Sequence, residues 1–467
     1  MSEKKAKKFR LFDAVLAVIC VVFVAEAAAP VAAIGNSQFF WWIFLIVAFL
    51  LPYGLISAEL GTTYDDEGGL YDWVKRAYGN AWGSRVSWYY WVNYPLWMAS
   101  LAVLFPEIIG KLIGGELNAF LALAIELAFI RIIVGISCTK ASDSKWILNG
   151  SAVIKVCLAL LLGIMGIRLA MTQGMANPYT PASLLPAFDL HSLSFISVII
   201  FNFMGFEVVT TFADDMENPK KQIPQAIIAG GLTIAAIYIF SAFGIGAAIP
   251  TSEISTSSGL IDSFQLLYGR ETGWFITVVS VLFLLTLFGN MLSWAYGVNY
   301  VAMYAAKSYD MPKVFEKTSK KNEMPVGAAV MNGVVATALL VIAPILPSQD
   351  LFWSFFALNI VTLLLSYVPI FPAFLKLRET DPKTHRPFLV KGGAFKLKLM
   401  AYVPMILLLI SILFICVPFS MDQAELAEKI PLLCGVVLSI IIGEILRIQA
   451  NKRRLAAEKA NAGPKRR

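Results

Sequence analysis

The sequence predicts an all-α polytopic membrane protein with about twelve transmembrane helices. Composition is the first observation behind this. Of 467 residues, 58% are apolar and only 15% charged, and the mean hydropathy is +0.71. Soluble domains sit near ~45–50% apolar and ~25% charged. The second observation is that the excess lies in long runs nearly free of charge between Leu11 and Arg447, each able to cross about 30 Å of hydrocarbon as a helix. The third is a charge asymmetry. With both termini inside, the outer loops carry only Lys111, Arg168, Arg270 and Lys429, and Arg131 and Lys155 fall within spans. The rest of the 38 Lys and Arg sit on inner segments. That bias places both termini in the cytoplasm and requires an even number of helices.

The elements follow in order. The basic start Met1–Arg10 and the apolar run behind it imitate a secretory signal. The run is too long for one and leads through small residues, Ala27 to Ala33, straight into a second span, so it reads as an uncleaved first helix. Spans are expected near 12–35, 38–60, 84–112, 117–136, 147–171, 189–213, 224–249, 272–305, 326–347, 350–376, 398–418 and 429–448. The longest outer connection is Thr172 to Leu190, and a basic inner loop runs from Lys376 to Lys398. Three regions result: a basic N-terminus (1–10), one membrane domain (11–448) and a basic cytoplasmic tail (449–467) that reads as a fraying helix extension.

Several functions are disfavoured. The net charge of +7 is accounted for by topology, so nucleic acid is not an expected partner. Cys20, Cys138, Cys157, Cys416 and Cys434 lie in spans or at their ends without a CxxC pair, and read as reduced packing residues. His191 and His385 sit near or outside span ends and supply no metal-ligand set. No Walker loop, nucleophile elbow or metal-binding helix occurs. The chain is therefore expected to be neither an enzyme nor an ATP-driven pump, and to need no cofactor. The intramembrane charges are few and lie near interrupted helices, which favours a carrier over a channel lined by rings of charge. A receptor would need a signalling domain.

Two spans are interrupted five helices apart. The first contains Val24-Ala-Glu-Ala-Ala-Ala-Pro30 and the sixth Phe201-Asn-Phe-Met-Gly-Phe-Glu207. Paired interruptions at matching places in two halves point to a midplane binding site, because broken backbone frees N–H and C=O groups that hydrocarbon cannot satisfy. Glu26 is expensive at that depth as a lone anion and calls for a cationic substrate, a basic side chain or a proton. The alternative is a protonated glutamate bonded to nearby backbone. Glu207 is either a proton site or a structural anchor between helices. Lys155 lies too deep in the fifth span to snorkel, and either switches protonation or replaces a coupling cation, or forms a fixed salt bridge. Trp294 and Phe201 are suited to stacking on a cation or closing a gate. Plain packing is the competing reading. In the aromatic run Trp88 to Met98, the deeper members Asn93, Tyr94, Trp97 and Met98 are candidates to face a cavity. Glu107 and Glu126 receive no role.

Several motifs, in order and on the expected elements, carry a family resemblance over nearly the whole chain. They are Ser57-Ala-Glu-Leu-Gly-Thr-Thr-Tyr-Asp-Asp-Glu-Gly-Gly-Leu-Tyr-Asp-Trp73, Phe203-Met-Gly-Phe-Glu207 with Glu217-Asn-Pro-Lys-Lys-Gln-Ile-Pro224, Tyr309-Asp-Met-Pro312, and Arg386-Pro-Phe-Leu-Val-Lys-Gly-Gly393. Together they resemble the amino acid–polyamine–organocation transporters, with a flavour similar to the bacterial glutamate/aminobutyrate-type antiporters. The resemblance implies five-plus-five inverted repeats (about 11–171 and 189–376) and two extra helices (about 398–448). It implies a substrate site between spans 1, 3, 6, 8 and 10. The residues implicated are Ala25, Glu26, Tyr94, Met98, Phe201, Asn202, Gly205, Glu207 and Trp294. Phe201 and Trp294 match gating aromatics. Lys155 matches a lysine that stands where some relatives hold sodium, which, with Glu26, implies sodium-independent coupling. The expected function is transport of amino acids or related amines across the plasma membrane by alternating access, as an antiporter, with proton-coupled uptake as the alternative. The lipid bilayer and a small amine or amino acid are the expected partners, as a monomer or homodimer. One departure bears on substrate. The stretch from Phe23 to Glu26 lacks the glycines whose backbone N–H groups hold a carboxylate in relatives, and it adds an acid. An amine or polyamine is favoured over a zwitterion.

Overall fold

The first span cannot run straight through. Pro30 has no N–H for the carbonyl one turn back, and its ring crowds that carbonyl. In the computed structural model, which describes residues 11–64, 68–140, 145–186, 188, 190–206, 217–345, 350–419 and 422–461, α1 (Leu11–Val22) ends two turns before Pro30. A 3₁₀ turn, Ala25–Ala27, and α2 (Ala28–Ala32) carry the chain onward. The second span comprises α3 (Gln38–Leu45), a π-helical stretch Ile46–Leu50 and α4 (Leu51–Thr63). Pro52, which also lacks a backbone donor, sits just after the π stretch.

A short helix, α5 (Leu70–Tyr78), leads into α6 (Asn80–Ile113), whose 34 residues end on Gly114 at φ +74°. Asn118 caps α7 (Ala119–Ser137) by accepting the Leu121 N–H at 2.9 Å. α8 (Lys145–Thr172) completes the first five spans. The second five begin with α9 (Leu190–Phe201), which stops within the sixth span, and α10 (Pro219–Ala248). The short α11 (Gly259–Tyr268) precedes α12 (Trp274–Lys307), α13 (Val326–Ile342) and α14 (Leu351–Tyr367). After a turn at Val368 and Pro369 the chain continues as α15 (Ile370–Thr380). α16 (Ala394–Cys416) and α17 (Gln423–Asn461) follow.

Among the described residues, ten helical segments are long and apolar enough to cross a membrane. With the interrupted first and sixth spans they make the expected twelve passages. Four details correct the sequence reading. The tenth span is two helices rather than one. The tail stays helical to Asn461, well past the point where fraying was expected. α5 and α11 were not foreseen, being too short for spans. Cys157 and Cys434 are exposed on the outside of the bundle, so they do not pack inside it.

Small residues bring the spans close together. A Cβ on Gly289 of α12 would lie 2.1 Å from the Ser151 side chain of α8, and one on Gly166 of α8 would lie 2.7 Å from the Gly244 Cα of α10. Such crossings are how helices pack where lipid offers no hydrophobic drive.

Ion pairs tie the end of the bundle that carries the tail. Glu59 of α4 is buried and takes Arg378 (Nε to Oε1, 2.8 Å), Arg386 (3.4 Å) and the Val390 N–H (2.7 Å). Asp310, also buried, accepts from the Tyr71 hydroxyl at 2.6 Å and pairs with Lys75 at 2.7 Å and Arg454 at 3.6 Å. The neighbouring Arg453 pairs with Glu316 and donates to the Ala306 carbonyl at 2.8 Å. The long tail helix is thereby fastened to the end of α12.

Candidate functional site

The break in the first span leaves backbone groups that need partners, and side chains from three other helices supply them. The Tyr238 hydroxyl of α10 accepts the Val24 N–H at 2.9 Å and donates to the Val24 carbonyl at 3.0 Å. The Trp294 indole N–H of α12 donates to the Val21 carbonyl at 3.0 Å. The Lys155 amine of α8 donates to the Phe23 carbonyl at 2.5 Å and to Asn290 Oδ1 of α12 at 2.8 Å. Lys155 can reach Asn290 because Ser151, one turn earlier, packs against side-chain-free Gly289.

Glu26 sits in the turn that follows, 2% exposed. Asn290 Nδ2 donates to both of its oxygens, at 3.1 and 2.8 Å. Lys155 lies within electrostatic reach of the carboxylate. The four groups Phe23 C=O, Lys155, Asn290 and Glu26 form one continuous network across three helices.

Aromatic rings gather beside this network. Trp97 of α6 meets Trp294 edge-on at 5.8 Å and Phe201 at 5.9 Å, and Phe201 meets Phe356 of α14 at 5.3 Å. Tyr90, two turns before Trp97, reaches Trp294 at 6.3 Å. The Trp97 indole N–H is buried and lies close to Glu26, outside ordinary hydrogen-bond geometry.

In the sixth span, α9 ends at Phe201, and tight bonds from Phe203 N–H to Ile200 C=O and from Met204 N–H to Phe201 C=O close the turn, both at 2.9 Å. Gly205 follows at φ +92°, and a Cβ there would lie 3.0 Å from the Trp294 ring. Glycine is needed both for the backbone conformation and for the approach of the tryptophan. Asn202 is fully buried with both amide atoms unpartnered.

The structure therefore gathers Lys155, Glu26, Trp294, Phe201 and Gly205 from the expected set, and places buried Ala25 and Asn202 on the two breaks. Tyr94 and Met98 are buried on α6, and the Tyr94 hydroxyl donates to the Met291 carbonyl at 2.8 Å, cross-linking α6 to α12. The Asn93 amide bonds to its own helix at Tyr90 C=O, 2.5 Å away. Glu207 lies outside the described residues. The sequence reading gave no role to Asn290, Tyr238 or Phe356. Asn290 stands one turn before Trp294, and a polar residue in an otherwise apolar run was the available signal.

A cavity of about 820 Å³ lies at the opposite end of α6 from the tail, away from Glu26 itself. Glu107, Glu116, Glu126 and Asp350 line it with Lys111, which is already paired with Asp262. Phe352 on its wall stacks on Phe356 at 5.3 Å, and Phe356 packs on Phe201. Rings thus connect the acidic cavity to the aromatic group beside Glu26.

Two interrupted spans enclosing buried polar groups, within a twelve-span bundle, define the class of multi-pass solute carriers. A family model for amino acid permeases matches residues 9–442, and the chain belongs to that family. It is 63% identical over 444 residues to a Lactococcus lactis protein named as a probable agmatine/putrescine antiporter, covering 95% of each chain. It is 24% identical over 354 residues to a glutamate/gamma-aminobutyrate antiporter of Lactococcus lactis, covering 72% of this chain and 68% of the other. A polyamine transporter of Arabidopsis thaliana is 24% identical over 434 residues, with 90% and 80% covered.

Proposed function

We propose that the protein exchanges small cationic amines of the agmatine and putrescine type across the plasma membrane, by alternating access and without sodium. One observation carries this: a buried carboxylate, Glu26, lies close to Trp97, which meets Trp294 and Phe201 edge-on, and it accepts from the Asn290 amide with the Lys155 amine nearby. A carboxylate among aromatic faces is the arrangement a desolvated ammonium or guanidinium requires. The acidic cavity at the far end of α6 adds to it by concentrating cations at the mouth. The relative at 63% identity bears a name with the same chemistry.

Glu26 takes the charged head, and Ala25, Asn202 and Gly205 on the two breaks complete the site, with Tyr94 and Met98 behind it. Phe201 and Trp294 close over the substrate, and Glu207 adds a second acid on the sixth span. Lys155 occupies the space between Phe23 C=O and Asn290 Oδ1 and supplies a positive charge there itself. The charge asymmetry supports cytoplasmic termini, with the acidic cavity outside. A solute gradient drives the cycle, and no catalytic step is involved.

The test is uptake of labelled agmatine by proteoliposomes containing the purified protein. Uptake that depends on internal putrescine and is unchanged when sodium is replaced by choline is expected. Equal uptake into empty vesicles under an inward proton gradient would replace exchange with proton symport.

A further inference from the structure

Asn290 is fully buried, and both ends of its amide are engaged. The oxygen accepts from Lys155 at 2.8 Å, and the nitrogen donates to the two Glu26 oxygens at 3.1 and 2.8 Å. These partners fix the amide's orientation, since the flipped amide would set N–H against an amine donor and C=O against a carboxylate. Lys155 also holds the Phe23 carbonyl at 2.5 Å. The result is a closed ring of bonds from the first-span break through α8 to α12 and back. It ties a broken helix of the first half to a continuous helix of the second.

We propose that Asn290 is a positioning residue that locks the empty carrier, and that a bound cation releases the lock by taking Glu26 from it. This rests on the amine-exchange reading above. The neutral amide and the substrate's cationic nitrogen compete for the same carboxylate oxygens. Both donors meet the same carboxylate, but the substrate nitrogen also brings a full positive charge, and an ion pair away from water outweighs the bond of a neutral amide. Once Glu26 is taken, the Asn290 bond from α12 to the first span is lost, the ring opens, and the restraint on the broken helix falls to the Trp294 bond with Val21 and the Lys155 bridge from Phe23 to Asn290. In the empty carrier the ring re-forms and holds the two together. A carrier that reorients loaded and stays locked when empty must exchange one substrate for another, so the lock provides the physical basis of antiport.

The test compares labelled-amine uptake into putrescine-loaded and empty proteoliposomes for wild type and Asn290→Ala. Wild type should show little uptake into empty vesicles. Whatever its absolute fluxes, Asn290→Ala should raise empty-vesicle uptake relative to exchange at least about tenfold, the weight of one hydrogen bond to a charged group. A purely structural role would lower both fluxes together, and an unchanged ratio overturns the proposal. If the alanine variant does not fold, Asn290→Leu decides by the same ratio, because it fills the space and offers Glu26 no donor. If wild type transports no amine, the exchange reading fails by itself. Hydrogen–deuterium exchange across residues 21–32 of substrate-free protein then judges the lock: faster exchange in the variant supports it, and unchanged protection overturns it.

Discussion

Glu26 accepts from the Asn290 amide with the Lys155 amine and the Trp97 indole N–H close by, and a carboxylate there gains more from a charged ligand than from a neutral one. Glu26→Gln keeps shape and hydrogen bonding while removing the charge. Loss of one partner of a buried charge pair is worth about 2–5 kcal/mol, so affinity for a cationic amine should fall at least about 30-fold. Glu26 and Lys155 were legible in the sequence because a charge inside an apolar run has few explanations. Asn290 was not, because Asn93, Asn299, Asn332 and Asn359 also lie in spans and nothing in one sequence separates a bridging amide from a packed one. Tyr238 was hidden for a similar reason, since a tyrosine in a span resembles ordinary packing until its hydroxyl is seen holding both backbone groups of Val24.

Among the elements, the crossing of α8 and α12 sets the reach of Lys155. A methyl group on Gly289 would lie 2.1 Å from Ser151, so Gly289→Ala must push the helices apart. Overpacking of this kind costs about 1–3 kcal/mol. The melting temperature in detergent should drop and amine exchange should fall with it, and Ser151→Gly in the same chain should restore both. Recovery of stability without transport would separate the crossing from the site. The interrupted spans were readable because Pro30 and Gly205 leave a local chemical mark. α5 and α11 were not, because a nine- or ten-residue helix between spans looks like a polar loop when only long apolar runs are counted.

The whole molecule is tied at the tail end and hollow at the other. Glu59 and Arg378 stand 319 residues apart in sequence, so their pairing was invisible until the chain was folded, although Glu59 and its second partner Arg386 lie in two of the motifs that carry the resemblance. Breaking a buried ion pair by removing one partner costs about 3–5 kcal/mol. Glu59→Gln should therefore shift the carrier towards a form open at the tail end. A cysteine placed at buried Ser57 should then react faster with a membrane-impermeant maleimide applied from that side, and equal rates in both backgrounds would show that the Glu59 cluster does not hold this end closed. The same closure leaves the cavity lined by Glu107, Glu116, Glu126 and Asp350 at the end away from the tail.

The most direct measurement of the central claim is calorimetric binding of agmatine and putrescine to purified wild type and Glu26→Gln, beside a neutral amino acid of similar size. The carboxylate among the rings predicts binding of both amines by wild type, a loss of at least about 30-fold in the variant, and little change for the neutral compound. Amine binding that survives the substitution, or falls no more than binding of the neutral compound, would contradict the assignment of Glu26 as the cation-recognising residue.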